Sequence, residues 1–329
     1  MKSLTRRGAL AGIGCLACAP ALAAPREITI PISSLSFATA GIRIAKELGL
    51  FEKHGLSARI VTMDSGNAAT SALISRSVEV VLSGPGELVA ARARGQRIVA
   101  IADAYRGLSA SLLLSTEAAE KSGIGAGASV AARLKALDGL TIAAPSATSS
   151  YTVSFKGAAE DQRARIKFTY MAQPAMVAAL ETGAIQGFIA GAPFWGVPVA
   201  KGRAVLWLSG PKAELPRRNM PVSTVSLQAM SDVADADPEL MRKLQAVIAD
   251  LGAAVDQRPG DVRAALVKLY PEVDERTMDL LFGTESSAWK TRPFTPEDMR
   301  HEIAFVKSTE ASLPQIDSIE LSEMIFTPK

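Results

Sequence analysis

Residues 38–84, ATAGIRIAKELGLFEKHGLSARIVTMDSGNAATSALISRSVEVVLSG, alternate helical and strand patterns, and this alternation decides the fold class. Apolar residues between Ile44 and Phe51 lie at helical spacing, whereas the short apolar runs 57–63 and 78–83 are typical of buried strands. Strands that alternate with helices in this way favour a mostly parallel sheet with helices on both of its faces.

The same alternation extends in both directions from this stretch. A strand pattern precedes it at 27–32, and a second series of strands and helices occupies 109–209. The segment 210–221, GPKAELPRRNMP, is rich in proline and charge and is typical of a linker. A further strand pattern follows at 222–230, and after Asp235 the chain is mainly helical.

This layout predicts an α/β protein with two lobes, each a mostly parallel sheet flanked by helices. The helical tail has no strands of its own to cover, so we expect it to pack on lobe I. The chain should cross between the lobes within Ala104–Ser111 and within Gly210–Ser223. The expected divisions are an export signal at 1–23, the first part of lobe I at 24–107, lobe II at 108–215, and the return strand and tail of lobe I at 216–329.

The N-terminus has the composition of an export signal. A basic head at 2–7 precedes an apolar stretch at 8–19, and the small residues at 21–23 fit a cleavage site. The apolar stretch is shorter than the 18 or more residues that a membrane span needs. The paired arginines leave the twin-arginine and the general export routes open, and Cys18 leaves open the attachment of a lipid.

Removal of this signal changes the charge and the thiol content of the chain. Both cysteines, Cys15 and Cys18, lie within 1–23, so the mature chain should have no disulfide, thiolate catalyst or cysteine-bound metal. The chain has 36 basic and 33 acidic residues, and three of the basic residues leave with the signal, so the mature formal charge is zero. This balance gives no indication of a nucleic-acid-binding surface.

Candidates for catalysis are few. The two histidines, His54 and His301, are far apart in the sequence, and a surface or hydrogen-bonded histidine is the better interpretation of each. The glycine-rich stretch at 123–128, GIGAGA, lacks the preceding strand that a dinucleotide-binding turn needs. We therefore expect no catalytic residues, no cofactor and no metal.

Residues 145–152, PSATSSYT, place five serine and threonine hydroxyls between a predicted strand and a predicted helix. The first N–H groups of a helix have no partner within the helix and carry partial positive charge, so such a turn attracts anions. Ordinary N-capping is the alternative, but it needs one hydroxyl rather than five. We therefore predict that an anionic group binds to Ser146, Thr148, Ser149 and Ser150.

Small polar residues also follow the first three predicted strands, at Ser34, Asn67, Ser83 and Gly84. In an open α/β sheet these turns lie along one edge, where ligands bind, so we expect the four residues to meet the ligand from lobe I. Three aromatic residues are expected to contact its apolar part: Phe37, Phe194 and Trp195. For the last two residues, a place in the core is an equally good interpretation.

Residues 38–84 resemble the opening of the periplasmic substrate-binding proteins of the sulfonate, taurine and nitrate uptake family, which serve ABC importers. The PSATSSYT turn is similar to the second-lobe anion turn of that family, and the likeness covers most of 27–225. The turn at 190–195, AGAPFW, lacks the acidic residue that many relatives carry before the Pro-Phe pair, which argues against an amino-sulfonate such as taurine. The most specific part of the likeness consists of Ala45, Lys46, Gly49, Leu50 and Phe51.

The resemblance implies a type II periplasmic binding fold whose two lobes close on a small organic anion, a sulfonate or a carboxylate with or without an aromatic body. It also implies a monomeric periplasmic protein that is not an enzyme and that delivers its ligand to an ABC permease in the inner membrane. Two alternatives stay open. One is an enzyme of cofactor biosynthesis on the same fold, against which the export signal argues, and the other is the ligand-binding subunit of a sensor.

We predict that the signal is cut after Ala23, which leaves a mature protein without thiols. The intact mass of the protein recovered from the periplasm should therefore equal that of residues 24–329. A mass that retains Cys18 with an acyl group would show lipid anchoring instead.

Overall fold

The computed structural model describes residues 24–63, 65–309 and 313–327. The expected export signal, with Cys18, lies outside the described residues. These residues form ten strands: β1 (Arg26–Ile32), β2 (Leu56–Thr62), β3 (Val80–Ser83), β4 (Ile98–Arg106), β5 (Ala110–Ser115), β6 (Thr141–Ala144), β7 (Lys167–Tyr170), β8 (Gly187–Gly191), β9 (Ala204–Ser209) and β10 (Ser223–Met230).

Helices of the described residues lie between and after these strands. They are α1 (Ala40–Glu47), α2 (Leu50–Lys53), α3 (Gly66–Ile74), α4 (Pro85–Arg92), α5 (Thr116–Lys121), α6 (Val130–Lys135), α7 (Ser150–Asp161), α8 (Gln173–Glu181), α9 (Gly196–Ala200), α10 (Ser231–Ala236), α11 (Pro238–Gln257), α12 (Pro259–Leu269), α13 (Glu275–Glu285) and α14 (Pro296–Thr309). None of the helices in the described part of the chain has the length and apolarity of a membrane span.

The strands form two five-stranded sheets, which confirms the predicted α/β class. Lobe I contains the sheet β2-β1-β3-β10-β4, and lobe II contains the sheet β7-β6-β8-β5-β9. In each sheet four strands point the same way and one is reversed, β10 in lobe I and β5 in lobe II. Each reversed strand directly follows a passage from the other sheet, so it starts at the edge where the other strands end.

The chain passes between the sheets at 107–109 and at 210–222. The carboxyl ends of the strands in each lobe therefore face the other lobe, and the strand–helix turns lie along the cleft between them. The lobe boundaries at 107/108 and 215/216 remain our proposal.

The first predicted helix is in fact two helices. The pattern at 39–56 predicts one helix with glycine stops near its end at Gly49 and Gly55, and the chain breaks into α1 and α2 at Gly49, whose φ is +69°. This left-handed conformation suits glycine because it has no Cβ, and it ends the helical hydrogen bonding.

One hydrophobic core is shared by the two lobes. In lobe I, Val80 and Leu82 of β3 face the core that also contains apolar residues of α1 and α11, whereas Val81 faces a separate core beneath α4 and α14. In lobe II, Phe188 and Ala190 of β8 join the first of these cores. We call this shared cluster the main core; the lobes are therefore packed together on the side that carries α1, α9 and α11.

The helical tail packs on lobe I and also contacts lobe II. Helix α11 packs along α1 and β4 of lobe I, but α13 packs against α9 of lobe II. At the start of α9, Gly196 makes room for the side chain of Leu281 in α13, because a Cβ at this position would overlap with it. The tail is therefore a further physical link between the lobes.

Glu285, at the end of α13, is fully buried where the lobes meet. Its carboxyl group accepts a hydrogen bond from the hydroxyl of Tyr105 in lobe I and another from Nε1 of Trp195 in lobe II, at 2.9 Å. Burial raises the pKa of Glu285 to about 7 and raises the pKa of Tyr105 well above its ordinary value. Close by, the N–H of Phe37 donates to the carbonyl of Ala192 at 3.4 Å, which joins the lobes again.

Replacement of Glu285 by glutamine should change how stability depends on pH. The folded pKa of Glu285, about 7, lies above its ordinary value of 4.5, so the folded state holds a proton that the unfolded state has lost. The stability that this proton contributes is present at low pH and is lost as the pH rises toward and through 7. Between pH 5 and 8, the free energy of unfolding of Glu285→Gln should rise by about 2 kcal/mol relative to the parent.

Urea unfolding at the two pH values measures this difference, with the exposed Glu120→Gln as the control. Parallel pH dependences in the parent and in Glu285→Gln would contradict the raised pKa.

Candidate functional site

A cavity of about 780 Å³ lies between the lobes, on the side of the lobe I sheet that carries α3, α4 and α14. Its walls come from the strand–helix turns of both lobes, from the second passage of the chain between the sheets, and from the tail. The polar residues among those that line it are Asn67, Thr70, Ser71, Glu87, Arg94, Gln96, Thr148, Ser149, Ser150, Ser223, Thr224, Glu302 and Thr309.

Five of the predicted ligand-binding residues line this cavity: Asn67, Gly84, Thr148, Ser149 and Ser150. They belong to both lobes, to the turns after β2 and β3 in lobe I and to the turn after β6 in lobe II. The structure therefore brings the turns predicted from the sequence to the two sides of one cavity.

Four other predicted residues lie outside the cavity lining. Ser83 is fully buried beneath it, and its hydroxyl lies 3.0 Å from that of Thr70, which does line it. In the half-buried turn after β1, the hydroxyl of Ser34 lies 3.0 Å from that of Ser36. Ser146 is exposed, and Phe194 is half-buried against the main core.

Phe37 and Trp195 are fully buried in the main core and are not among the residues that line the cavity. The ring of Phe37 packs on Tyr270 with a centroid distance of 4.7 Å, and Trp195 is bound to Glu285. For Trp195, this is the place in the core that the sequence analysis gave as the equally good interpretation. The structure thus uses both rings for packing, and the apolar cavity wall comes instead from residues such as Ile74 and Phe305.

The hydroxyl-rich turn, residues 145–152, leads directly into α7. Ser149 is the N-cap of this helix, and its hydroxyl accepts a hydrogen bond from the N–H of Tyr151 at 3.3 Å. Thr148 and Ser150 are exposed on either side of the cap, and Thr152 is fully buried. Capping therefore accounts for Ser149, while Thr148 and Ser150 present their hydroxyls at the positive end of a twelve-residue helix.

Two carboxyl groups that the sequence analysis missed also line the cavity. Glu87 lies in the first turn of α4, and its carboxylate extends between Gly66 and Gly84. A Cβ at either glycine would overlap with this carboxylate, so a larger residue at either position would displace it. A local pattern could have indicated this residue, because Glu87 follows the predicted ligand-binding turn at 83–84 within one helical turn.

The second carboxyl group belongs to Glu302 of α14, which is only 2% exposed. Its Oε2 accepts a hydrogen bond from the N–H of Val222 at 2.8 Å. Burial, with a smaller contribution from the nearby carboxylates of Glu87, Asp103 and Asp298, raises the pKa of Glu302 to about 8, although the hydrogen bond from Val222 opposes this shift. No sequence pattern could indicate this residue, because only the packing of the tail brings it to the cleft.

Arg106, at the end of β4, is held by two carboxylates next to the cleft. It donates to Asp103 at 3.0 Å and to Asp298 at 2.7 Å. Asp298 is almost fully buried and also pairs with Arg292, and these partners hold its pKa well below its ordinary value although burial opposes them. The charge of Arg106 is thus balanced within the protein, and Arg94 is the basic side chain among the residues that line the cavity.

Comparison with protein families gives one match, and it covers most of the chain. The model of the NMT1-like family matches residues 25–270, about three quarters of the sequence. No curated protein has a sequence that matches this chain.

Solved structures of periplasmic binding proteins share the fold. The periplasmic aliphatic sulphonate-binding protein SsuA from Escherichia coli is 16% identical, with a TM-score of 0.66 over 86% of this chain and 91% of its own. The alkanesulfonate-binding protein SsuA from Xanthomonas axonopodis pv. citri, bound to MOPS, is 15% identical, with a TM-score of 0.63 over 89% and 96%. The periplasmic nitrate-binding protein NrtA from Synechocystis PCC 6803 is 13% identical, with a TM-score of 0.61 over 91% and 86%. These likenesses show that the chain has the periplasmic binding protein fold.

Single alanine substitutions should separate the capping hydroxyl from its neighbours. Ser149→Ala removes the N-cap of α7 and should lower the free energy of unfolding by about 1 kcal/mol. Thr148→Ala and Ser150→Ala remove exposed hydroxyls beside the cap, and each should change the free energy of unfolding by less than about 0.5 kcal/mol. Urea unfolding of the three variants measures these values, and equal losses in all three would contradict the assignment of Ser149 as the cap.

Proposed function

This chain belongs to the NMT1-like family, and we propose that it is the solute-binding component of an ABC import system. Its ligand is a small organic anion with a sulfonate or carboxylate group, held between the two lobes. Two of the solved structures with the same fold are named as sulfonate-binding proteins and a third as a nitrate-binding protein, which supports an anionic ligand.

One observation carries this proposal: the cavity between the lobes is lined by small polar groups from both of them. From lobe II, Thr148 and Ser150 lie at the N-terminus of α7, where hydroxyls and the N–H groups of the first turn donate hydrogen bonds to an oxyanion. From lobe I, the side-chain amide of Asn67 faces the same cavity. Since a ligand in this place touches both lobes, it favours the conformation in which they are closed.

The two lobes should separate on the cavity side and stay together on the side of α9 and α13. On that second side they share the main core and the hydrogen bonds of Glu285, which opening would expose. Hinge closure about this contact is the motion that the proposed function needs.

The partner in this proposal is an ABC permease in the inner membrane, and the protein acts as a monomer in the periplasm after removal of residues 1–23. The proteins of the same fold described above are binding proteins, and we propose no catalytic role for this chain. Neither histidine is among the residues that line the cavity: His54 lies 2.8 Å from Asp250, and His301 donates to the carbonyl of Met220.

A thermal-shift screen of small sulfonates and carboxylates, each beside its uncharged amide or alcohol analogue, tests the class of ligand. Anions should raise the melting temperature and their neutral analogues should not, because binding to the folded state stabilises it. Stronger stabilisation by neutral analogues would contradict an anion site.

The double variant Thr148→Ala and Ser150→Ala should then bind the best anion more weakly in calorimetry, by roughly a hundredfold or more. Each hydrogen bond to a charged group contributes roughly 1.5–3 kcal/mol. Removal of these two hydroxyls leaves Ser149, the N-cap of α7, unchanged. Ser129→Ala is the matched control, since it removes a hydroxyl at another helix start of lobe II, outside the cavity lining. Unchanged affinity in the double variant would mean that the hydroxyl-rich turn does not hold the anion.

A further inference from the structure

The cavity holds more acidic groups than a site for a simple anion needs. The carboxyl groups of Glu87 and Glu302 line it together with the hydroxyls of Thr148 and Ser150. An anion bound among these groups is attracted by the helix N-terminus and repelled by any ionised carboxylate nearby. Arg94, the basic side chain among the lining residues, follows the other end of α4 from Glu87. A ligand that touches the Glu87 end of the cavity therefore gains from a positive group of its own.

Glu87 is built into the lobe I wall of the cavity. Its carboxylate occupies the space that a Cβ of Gly66 or Gly84 would take, so it lies between the turns that begin α3 and α4. These are the same turns that the sequence predicted to meet the ligand. A carboxylate accepts several hydrogen bonds at once, so Glu87 can support these turns and still accept one from a ligand.

Glu302 reaches the cavity from the tail. The hydrogen bond from the N–H of Val222 to Oε2 fixes its carboxyl group at the second passage between the sheets. Burial and the neighbouring carboxylates hold this group largely in its neutral form near pH 7. A cation or a strong N–H donor next to Glu302 would stabilise its ionised form, which burial disfavours.

We propose that the ligand carries an amine or amidine group in addition to its sulfonate or carboxylate, and that Glu87 and Glu302 bind this second group. This inference rests on the proposed function, since it names the class of anion that the same cavity takes. It also reverses an expectation from the sequence. The 190–195 turn lacks an acidic residue, but α4 and α14 supply carboxyl groups to the cleft from elsewhere in the chain.

Matched pairs of compounds test this proposal by calorimetry on the mature protein. The pairs are 3-aminopropanesulfonate with propane-1-sulfonate, 4-aminobutanoate with butanoate, and 4-(aminomethyl)benzoate with 4-methylbenzoate. In the pair that binds best, the amine-bearing member should bind at least tenfold more tightly than its partner. Glu87→Gln and Glu302→Gln should each reduce this preference at least tenfold, without weakening the amine-free member.

Two further variants make the test specific. Glu297→Gln, on the exposed surface of the same helix as Glu302, should leave the preference unchanged. Gly84→Ala keeps every charge but displaces the Glu87 carboxylate, and its backbone angles of −70° and 146° suit alanine, so it should reduce the preference as Glu87→Gln does. Thermal unfolding of each variant verifies that it is folded.

The outcomes separate this inference from the proposed function. If only the amine-free members bind, or if the preference survives in both glutamine variants and in Gly84→Ala, the inference is overturned while the proposed function stands. If no member of any pair binds to the folded protein, both are contradicted.

Discussion

The carboxyl group of Glu285, buried between Tyr105 of one lobe and Trp195 of the other, determines how the two halves of the molecule meet. If the lobes separated there, Glu285 would lose either Tyr105 or Trp195 as a donor, and in the second case the packing of Leu281 on Gly196 would open as well. The main core continues through the same contact, so separation would also expose apolar surface to water. The α9–α13 side is therefore the natural pivot, and the cavity side is the one at which opening costs least.

The second passage between the sheets, residues 210–222, connects this geometry to the cavity. Arg218 in this segment pairs at 2.7 Å with Asp161 of α7, the helix whose N-terminus carries the hydroxyl-rich turn. On its other side, the carbonyl of Met220 accepts a hydrogen bond from His301 of α14, the helix that carries Glu302. When lobe II moves, residues 210–222 must therefore shift relative to α7, to α14 or to both. Because Pro221 of this segment lines the cavity, such a movement changes the shape of the cavity.

The sequence predicted the parts of the structure that depend on local pattern. The strand pattern at 27–32 lies within β1, and Asn67 and Thr148 line the same cavity, as the rule that strand–helix turns share one edge predicts. Packing decided the rest. Trp195 follows a strand at the cleft edge as predicted, yet α13 covers it, and Glu302 reaches the cleft only because the tail folds back over α4. Neither contact has a periodicity or spacing in the sequence that could reveal it.

A cleft that binds an anion with little fixed positive charge must depend on oriented dipoles, which act only at short range. The hydroxyls of Thr148 and Ser150 and the N–H groups of α7 can hold an oxyanion that sits directly on them, but they do not draw anions in from a distance. The carboxylate of Glu87, and that of Glu302 whenever it is ionised, then oppose any anion that brings no positive group of its own. Because discrimination depends on the difference between two binding energies, this repulsion contributes to selectivity even though it adds nothing to affinity for simple anions. An inorganic anion could bind to the same hydroxyl and N–H dipoles, but it has no positive group that would pair with a carboxylate of the cavity. The arrangement therefore favours an organic ligand that carries both charges.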